Sequence, residues 1–405
     1  MSYYLINPFG RVVAIDDKKE YERFLNTEGF VKPTLKQEQD YINERMRIIA
    51  GMRNPQSEKE DNQKGVYFAT VSQTKKDGYS NASLALIEEL KNLGINVSTA
   101  NRGQKIALLF HNPYSILSIE SPFRLIFTMF ESDKIPDDWH DYLEAADLII
   151  VPSKWCSSIF EKSGFKTTVV PLGYDHKLFK FVKRHNKAQK HEVFTFLHYN
   201  AFNIRKGFTE VLQAFIEEFD KTEPVKMIFK TVLEHPPLQI RKEMYPNIEV
   251  IAGETDNEEL VEICNRSDCF VFPSRGEGFG IPPLEAMATG MPAIVPNAHG
   301  ITEYFNKNYM YEVKIEGNCP ALYSRYKGVD VGKMIVCDMK DLKRQMRWIY
   351  EHQDEAFKMG EKAAKYVQNW TYEKTAKALK EIIDEYMMKE IIDRPLRNSL
   401  TLEVI

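Results

Sequence analysis

From Gly65 onward the chain alternates between short apolar runs and longer stretches whose apolar positions recur every three to four residues. VYFATVS, INVSTA, KIALLFHNP, RLIFTMF and DLIIVPS read as strands, and SNASLALIEELKNLG, closed by Gly94, reads as a helix. A second series starts near His191: EVFTFLHYN, then the helical KGFTEVLQAFIEEF, then VKMIFKTV. IEVIAG, NEELVEICNRS, CFVFPS, PLEAMATG and MPAIVPN continue the alternation. Apolar runs that do not alternate belong to strands covered on both faces, so the regular exchange with helices predicts βαβ units and parallel sheets. Two series predict two α/β domains, over 65–175 and 192–371, joined by a polar, basic connector at 176–191. Ligands of such domains sit at the carboxyl ends of the strands, here the cleft between the domains. YEKTAKALKEIIDEYMMKEII carries one apolar face at helical spacing. It predicts a helix within 372–405 that crosses back to bury that face on the first domain.

Residues 1–64 follow another pattern and read as a small appendage. YYLINPFGRVVAI alternates as a hairpin turning at Pro8, Phe9 and Gly10, and charged helical segments lead into the polar NPQSEKEDNQKG, suited to a linker. The charge run Glu58–Asp61 reads as solvated surface.

A chain of 405 residues suits two domains, and 43% hydrophobic with 28% charged residues is ordinary globular composition. A net charge of -4 supplies no global field toward nucleic acid or an acidic membrane, although a local basic patch stays open. The five cysteines lack zinc-ligand spacing and suit free thiols in a reducing compartment. The start shows no basic segment followed by an apolar core, and the apolar runs fall short of the roughly 18 residues a membrane span needs. A cytoplasmic protein is expected.

The chemistry concentrates in PSRGEGFGIPPLEAMATGMPAIVP, Pro273 to Pro296. CFVFPS is a strand, RGEGFG a loop, and Pro282-Pro283 stand where a helix starts, because the first helical amides have no internal partner to lose. Glu277 then lies in the loop and Glu285 in the first turn, while Gly276, Gly278 and Gly280 let backbone approach a ligand. Amides of such a loop suit a phosphate or sugar oxygen, and carboxylates suit hydroxyl donors. The same stretch also makes sense as a tight strand-to-helix turn with a favourable first-turn acid.

RSDCFVFPSRGEGFGIPPLEAMATGMPAIV resembles the signature of retaining glycosyltransferases of the GT-B fold, family 4, also called glycosyl transferases group 1. AADLIIVPSKWCSSIFEKSGF with VVPLGYDHKLF resembles that family's domain-joining segment, and RKGFTEVLQAF its phosphate-binding strand-loop-helix. The resemblance runs from about Asp77 to Thr371. It implies two Rossmann-like domains facing across a cleft and a nucleotide-diphosphate sugar, UDP- or GDP-linked, as donor. It assigns Glu277 to donor-sugar hydroxyls and Glu285 to the ribose. Backbone around Gly278, Phe279 and Gly280 would meet sugar and diphosphate, and Arg205 and Lys206 would face the diphosphate, with Lys230 a further cation. Gly78 in DGYSNASLAL stands for the family's first glycine loop. The family's histidine after a first-domain strand is missing from FTMFESD, which leaves Glu131 and His111 as the polar candidates near the reacting carbon. His111 is equally explained as a structural residue. Ala201 occupies the place of a family arginine, whose charge Arg205 could supply.

No Asp-x-Asp triplet occurs in the chain, so no metal site is expected and Arg205, Lys206 and helix amides would neutralise the leaving group. The acceptor is a hydroxyl of a glycan, a lipid-linked glycan or a small molecule. The appendage is similar to leader segments of phage-encoded proteins, which opens a second reading. In it a phage enzyme in the host cytoplasm glycosylates hydroxymethylated DNA bases, with Lys180, Lys183, Arg184, Lys187 and Lys190 on phosphates. A solvated basic linker explains those five residues as well. A non-catalytic sugar-nucleotide binding protein is the third alternative. A hydrolase using Glu277 and Glu285 as acid and base leaves Arg205 and Lys206 without a role.

Overall fold

The computed structural model describes residues 3–6, 12–15, 18–25, 32–34, 64–70, 78–190, 192–233 and 244–391. The chain divides into two compact units, Met1–Gln63 and Lys64–Ile405. In the first, β1 (Tyr3–Ile6) pairs antiparallel with β2 (Val12–Ile15), and a helix follows at Lys18–Leu25. The turn expected at Pro8–Gly10, the charge run Glu58–Asp61 and most of the linker lie outside the described residues.

The second unit holds two six-stranded sheets, each with every strand parallel. One contains β3 (Val66–Ala69), β4 (Val97–Ser98), β5 (Ile106–Phe110), β6 (Phe123–Phe127), β7 (Leu148–Val151) and β8 (Thr167–Val169), in the order β4-β3-β5-β6-β7-β8. The other contains β9 (Phe194–Tyr199), β10 (Val225–Thr231), β11 (Ile248–Ala252), β12 (Cys269–Val271), β13 (Ala293–Pro296) and β14 (Tyr311–Val313), in the order β11-β10-β9-β12-β13-β14. These are two Rossmann-like domains, as the alternation of apolar runs and helices predicts. Every residue of β5 and of β9 is buried, which is why β5 reads as an unbroken apolar run and β9 as one interrupted only by Thr195 and His198.

Each sheet reverses direction once, between β3 and β5 and between β9 and β12. At such a switch point the loops leaving two neighbouring strands part to opposite faces and open a crevice at their carboxyl ends. The second domain therefore sets the loop after β9, with Arg205 and Lys206, beside the loop after β12, with Glu277. The first domain sets His111 directly after β5 and Glu131 four residues after β6.

The chain passes between the domains twice at one place. Tyr174 donates its amide to Trp370 O at 3.2 Å and its carbonyl accepts from Tyr372 N at 3.1 Å. From there the helix Tyr372–Met388 lies on the first domain, with Ala376, Leu379 and Ile383 buried. Each large aliphatic side chain so buried contributes about 1.5–3 kcal/mol. Its far end is tied by Tyr386, whose ring meets Phe123 at 5.4 Å and whose hydroxyl donates to Asp147 O at 3.1 Å.

One element has no counterpart in the expectations above. An antiparallel hairpin, β15 (Ile315–Pro320) and β16 (Lys333–Cys337), leaves the second domain and carries the loop 321–332 to the first. Ser132 Oγ donates to Val331 O, Asp133 accepts from Lys333 N at 2.5 Å, and Lys134 Nζ donates to Asp330 O at 3.2 Å.

Candidate active site

The strand-to-helix turn after β12 forms for local reasons. Gly280, at φ 87°, turns the chain into the helix Ile281–Ala288, and Pro282 and Pro283 fill its first turn. Opposite it, Asn203 caps the short helical turn Ile204–Lys206 by accepting from Lys206 N at 3.1 Å. A backbone bond from Arg275 N to Arg205 O, 2.7 Å, ties the two loops together.

Four charged side chains meet there in a chain. Lys206 Nζ lies 2.7 and 3.0 Å from the two carboxylate oxygens of Glu277, and Ser274 Oγ donates to the nearer one at 2.7 Å. Arg205 stands 3.5 Å from Glu277 and 3.2 Å from Glu131 of the first domain, and donates to Gly276 O at 2.6 Å. Tyr323, from the hairpin, donates to Glu131 at 3.2 Å. Burial alone would raise the pKa of Glu277, but Lys206 and Arg205 outweigh it and hold the carboxyl below its ordinary value. Burial would depress Arg205, yet Glu131 and Glu277 push it up. Lys206 is depressed, first by burial and then by Arg205. The result is a water-poor site with two fixed cations at the end of β9 and one carboxylate from each domain.

Glu285 is a separate case: it is half-buried and, contrary to the expectation of a first-turn acid, lies past the first turn of the helix Ile281–Ala288, a turn that holds no acid. Tyr199 Oη is 2.7 Å from its carboxyl and 2.9 Å from Pro282 O. One hydroxyl proton cannot serve both acceptors, whereas a protonated Glu285 donates to Tyr199 and frees that proton for Pro282. Burial agrees with this, pushing the Glu285 carboxyl up to about 7.

The glycines do something the sequence did not suggest. A side chain at Gly276 would stand 2.1 Å from Glu131 O, and one at Gly278 would stand 2.6 Å from Met129. The carbonyl of Gly278 accepts from Ser153 Oγ at 2.9 Å and Cys156 Sγ at 3.3 Å. Both glycines therefore make room for the first domain, where sequence reasoning reserved them for a ligand. Phe279 is buried edge-on against Tyr304 at 5.5 Å, and the Tyr304 hydroxyl donates to Gly280 O at 2.6 Å.

Lys230 bonds away from the charged cluster. It is buried at the end of β10 and its amine donates to Thr231 O at 3.1 Å and to Gly253 O. Gly78 opens the helix Gly78–Asn92, and the loop before it lies outside the described residues. His111 is half-buried and packs on Tyr79, with ring centroids 4.9 Å apart. Together with Glu131 and Arg205 it faces a cavity of about 300 Å³.

The five cations of the basic connector divide: Lys180, Lys183 and Lys190 are exposed, and Arg184 is not. Arg184 is buried, and its guanidinium donates to Ser267 O at 2.8 Å, Cys264 O at 3.0 Å, Val182 O at 3.2 Å and Thr289 O and Oγ1. Ser267 and Thr289 follow the ends of the helices Asn257–Asn265 and Ile281–Ala288, where a cation is favoured. Arg184 is thus committed to the fold and has no donor left for a DNA phosphate. Lys187 pairs with Glu192 at 3.3 Å.

Residues 180–317 match the model of the family described as Glycosyl transferases group 1. Over that segment the chain is similar to the group 1 glycosyltransferases. It holds Arg205, Lys206, Glu277 and Glu285, the residues around the switch point. Two viral proteins match more widely: "Putative glycosyltransferase 41" of Sulfolobus islandicus filamentous virus, 32% identical over 39% of this chain and 42% of its own length, and "Putative glycosyltransferase ORF313" of Acidianus filamentous virus 1, 25% identical over 47% and 57%. The chain spans about half the length of these curated relatives. Among solved structures, sucrose-phosphate synthase from Thermosynechococcus elongatus superposes with a TM-score of 0.60 at 15% identity, covering 80% of this chain and 98% of that one. Anabaena HepE in complex with UDP and glucose gives 0.55 at 13% identity, covering 79% and 99%. The fold is GT-B. Among the described residues no helix is long and apolar enough to cross a membrane.

Proposed function

We propose that the chain transfers a sugar from a nucleotide-diphosphate donor to a hydroxyl acceptor, with retention at the anomeric carbon and without a divalent cation. One observation carries this reading: Arg205, Lys206 and Glu277 converge at the switch point of one domain, within an ion-pair distance of Glu131 from the other. Arg205 and Lys206 neutralise the charge that develops on the departing diphosphate, an electrostatic stabilisation in a site that needs no reorganisation. Glu277 accepts hydrogen bonds from hydroxyls of the donor sugar, and Glu285 from the ribose. UDP is the first nucleotide to test, since HepE carries it on the same fold, and GDP the second.

In the step itself the acceptor oxygen bonds to the anomeric carbon as the bond to the diphosphate oxygen breaks. The acceptor proton passes to the departing diphosphate on the same face. Glu277 and Glu131 are both tied to cations, which favours this route over attack by an enzyme carboxylate. The absence of an Asp-x-Asp triplet supports metal independence. The viral relatives support work in the cytoplasm of a host cell.

The test is incubation with labelled UDP- and GDP-sugars and mixed hydroxyl acceptors, in the presence of a chelator. Release of nucleoside diphosphate with an acceptor product of unchanged anomeric configuration is expected. Binding without turnover of any donor would leave a sugar-nucleotide binding protein instead.

A further inference from the structure

The cavity of about 300 Å³ beside Glu131 and Arg205 has walls from both domains. The first domain contributes Tyr79, His111, Tyr114 and Trp139; the hairpin loop 321–332 contributes Tyr323, Arg325 and Tyr326. The loop is fastened across the opening by side chains that also line it. Trp139 Nε1 donates to Tyr326 Oη at 3.0 Å, and Tyr326 Oη also bonds to Tyr114 Oη. The Arg325 guanidinium lies 3.7 Å from the centre of the Tyr114 ring. Tyr323 packs on Phe130 at 5.0 Å and points its hydroxyl at Glu131.

We propose that this cavity is the acceptor subsite, that it takes a single pyranose ring, and that Tyr323 and Tyr326 of the hairpin determine which ring is accepted. The proposal rests on the glycosyl-transfer reading above. Three features select a sugar. Glu131 offers carboxyl oxygens to hydroxyl donors, and the hydroxyls of Tyr114, Tyr323 and Tyr326, bonded to Asp138, Glu131, Trp139 and one another, can exchange those partners for sugar hydroxyls. The aromatic faces offer apolar surface to the C–H face of a pyranose. The neighbouring rings stand close to perpendicular, Tyr323 to Tyr326 at 83° and Tyr114 to Trp139 at 87°. A flat nucleobase needs two parallel walls to be sandwiched, and those ring pairs do not supply them. The reducing or non-reducing hydroxyl of a bound ring would then face Glu131 and the cations beyond it. Because the outer wall comes from the donor domain, acceptor choice is decided by a hairpin separate from the sugar-nucleotide loops.

The test uses methyl pyranosides of glucose, galactose and mannose as probes, with adenosine, deoxycytidine and a hydroxymethylated duplex as the other arms. Binding is read by ligand-observed NMR and by quenching of Trp139 fluorescence, checked in Trp139→Phe. UDP affinity is measured alongside by calorimetry. At least one pyranoside should bind and quench, and Tyr326→Ala should raise its KM or Kd about tenfold or more, the effect expected of a central aromatic contact. UDP affinity should stay at the wild-type value. Ser324→Trp, which fills the cavity from an exposed loop position without removing a wall, should abolish pyranoside binding and serves where Tyr326→Ala fails to fold. If nucleosides bind the cavity and pyranosides do not, or if both variants keep wild-type acceptor KM, the proposal is overturned. If neither UDP nor GDP binds, the glycosyl-transfer reading fails first, and the two failures are thus told apart.

Discussion

Glu277→Gln isolates the charge of the carboxylate proposed to meet the donor sugar while keeping its shape. In the wild type, Glu277 is buried with Lys206 Nζ at 2.7 Å, Ser274 Oγ at 2.7 Å and Arg205 at 3.5 Å. At an effective dielectric of about 20, unit charges 2.7 Å apart attract by roughly 6 kcal/mol. Desolvation of both groups offsets part of that, and removing one partner of a buried pair typically costs about 3–5 kcal/mol. The amide keeps the Ser274 bond but leaves Arg205 and Lys206 facing only Glu131, so the unliganded protein should melt on the order of 10 °C lower. Nucleotide binding should respond in the opposite sense. A diphosphate then meets two cations with one competing carboxylate fewer, so UDP affinity should hold or improve. Turnover should fall, because the hydrogen bonds to the sugar, whose geometry changes in the transition state, are weakened. Thermal unfolding without ligand, UDP calorimetry and initial rates measure the three quantities. A wild-type melting temperature, or equal losses in UDP affinity and kcat, would refute the reasoning.

Alanine at Arg205 or Lys206 should each lower kcat/KM at least about tenfold, since a charge-assisted hydrogen bond contributes roughly 1.5–3 kcal/mol; steady-state kinetics with a saturating acceptor checks this. The Glu285 carboxyl is raised from 4.5 to about 7, so the folded state holds its proton more tightly and stability is lost as pH rises between those values. Glu285→Gln should therefore gain on the wild type by up to about 3 kcal/mol between pH 5 and pH 8, read as a widening gap in melting temperature, while its UDP affinity falls. Arg184→Met should cost roughly 3 kcal/mol or more by orphaning buried carbonyls, whereas Lys183→Ala, on the exposed side of the same connector, should change stability by less than about 0.5 kcal/mol. Equal melting curves for those two would show that Arg184 does not hold the helix ends.

Much of the fold was legible because its signals are local. β9 reads as an apolar run because both faces of a parallel strand are covered, and the helix Ile281–Ala288 is announced by Gly280, Pro282 and Pro283 within four residues. Arg205, Lys206 and Glu277 were legible for the same reason, each lying a few residues past a strand end, so that sheet order alone brings them together. What lay beyond reach depends on partners far along the chain. Gly276 and Gly278 look like ligand-facing glycines until Met129 and Glu131 fill that space. Arg184 looks like one cation in a basic linker until the ends of two helices close around it. Tyr326 meets Tyr114 across 212 positions, and nothing in LYSRYKGVDVG says which surface that loop will cover. Local periodicity determines where strands and helices run, but the free energy of a polar group depends on whether water or protein surrounds it, and that is decided only when the two domains meet.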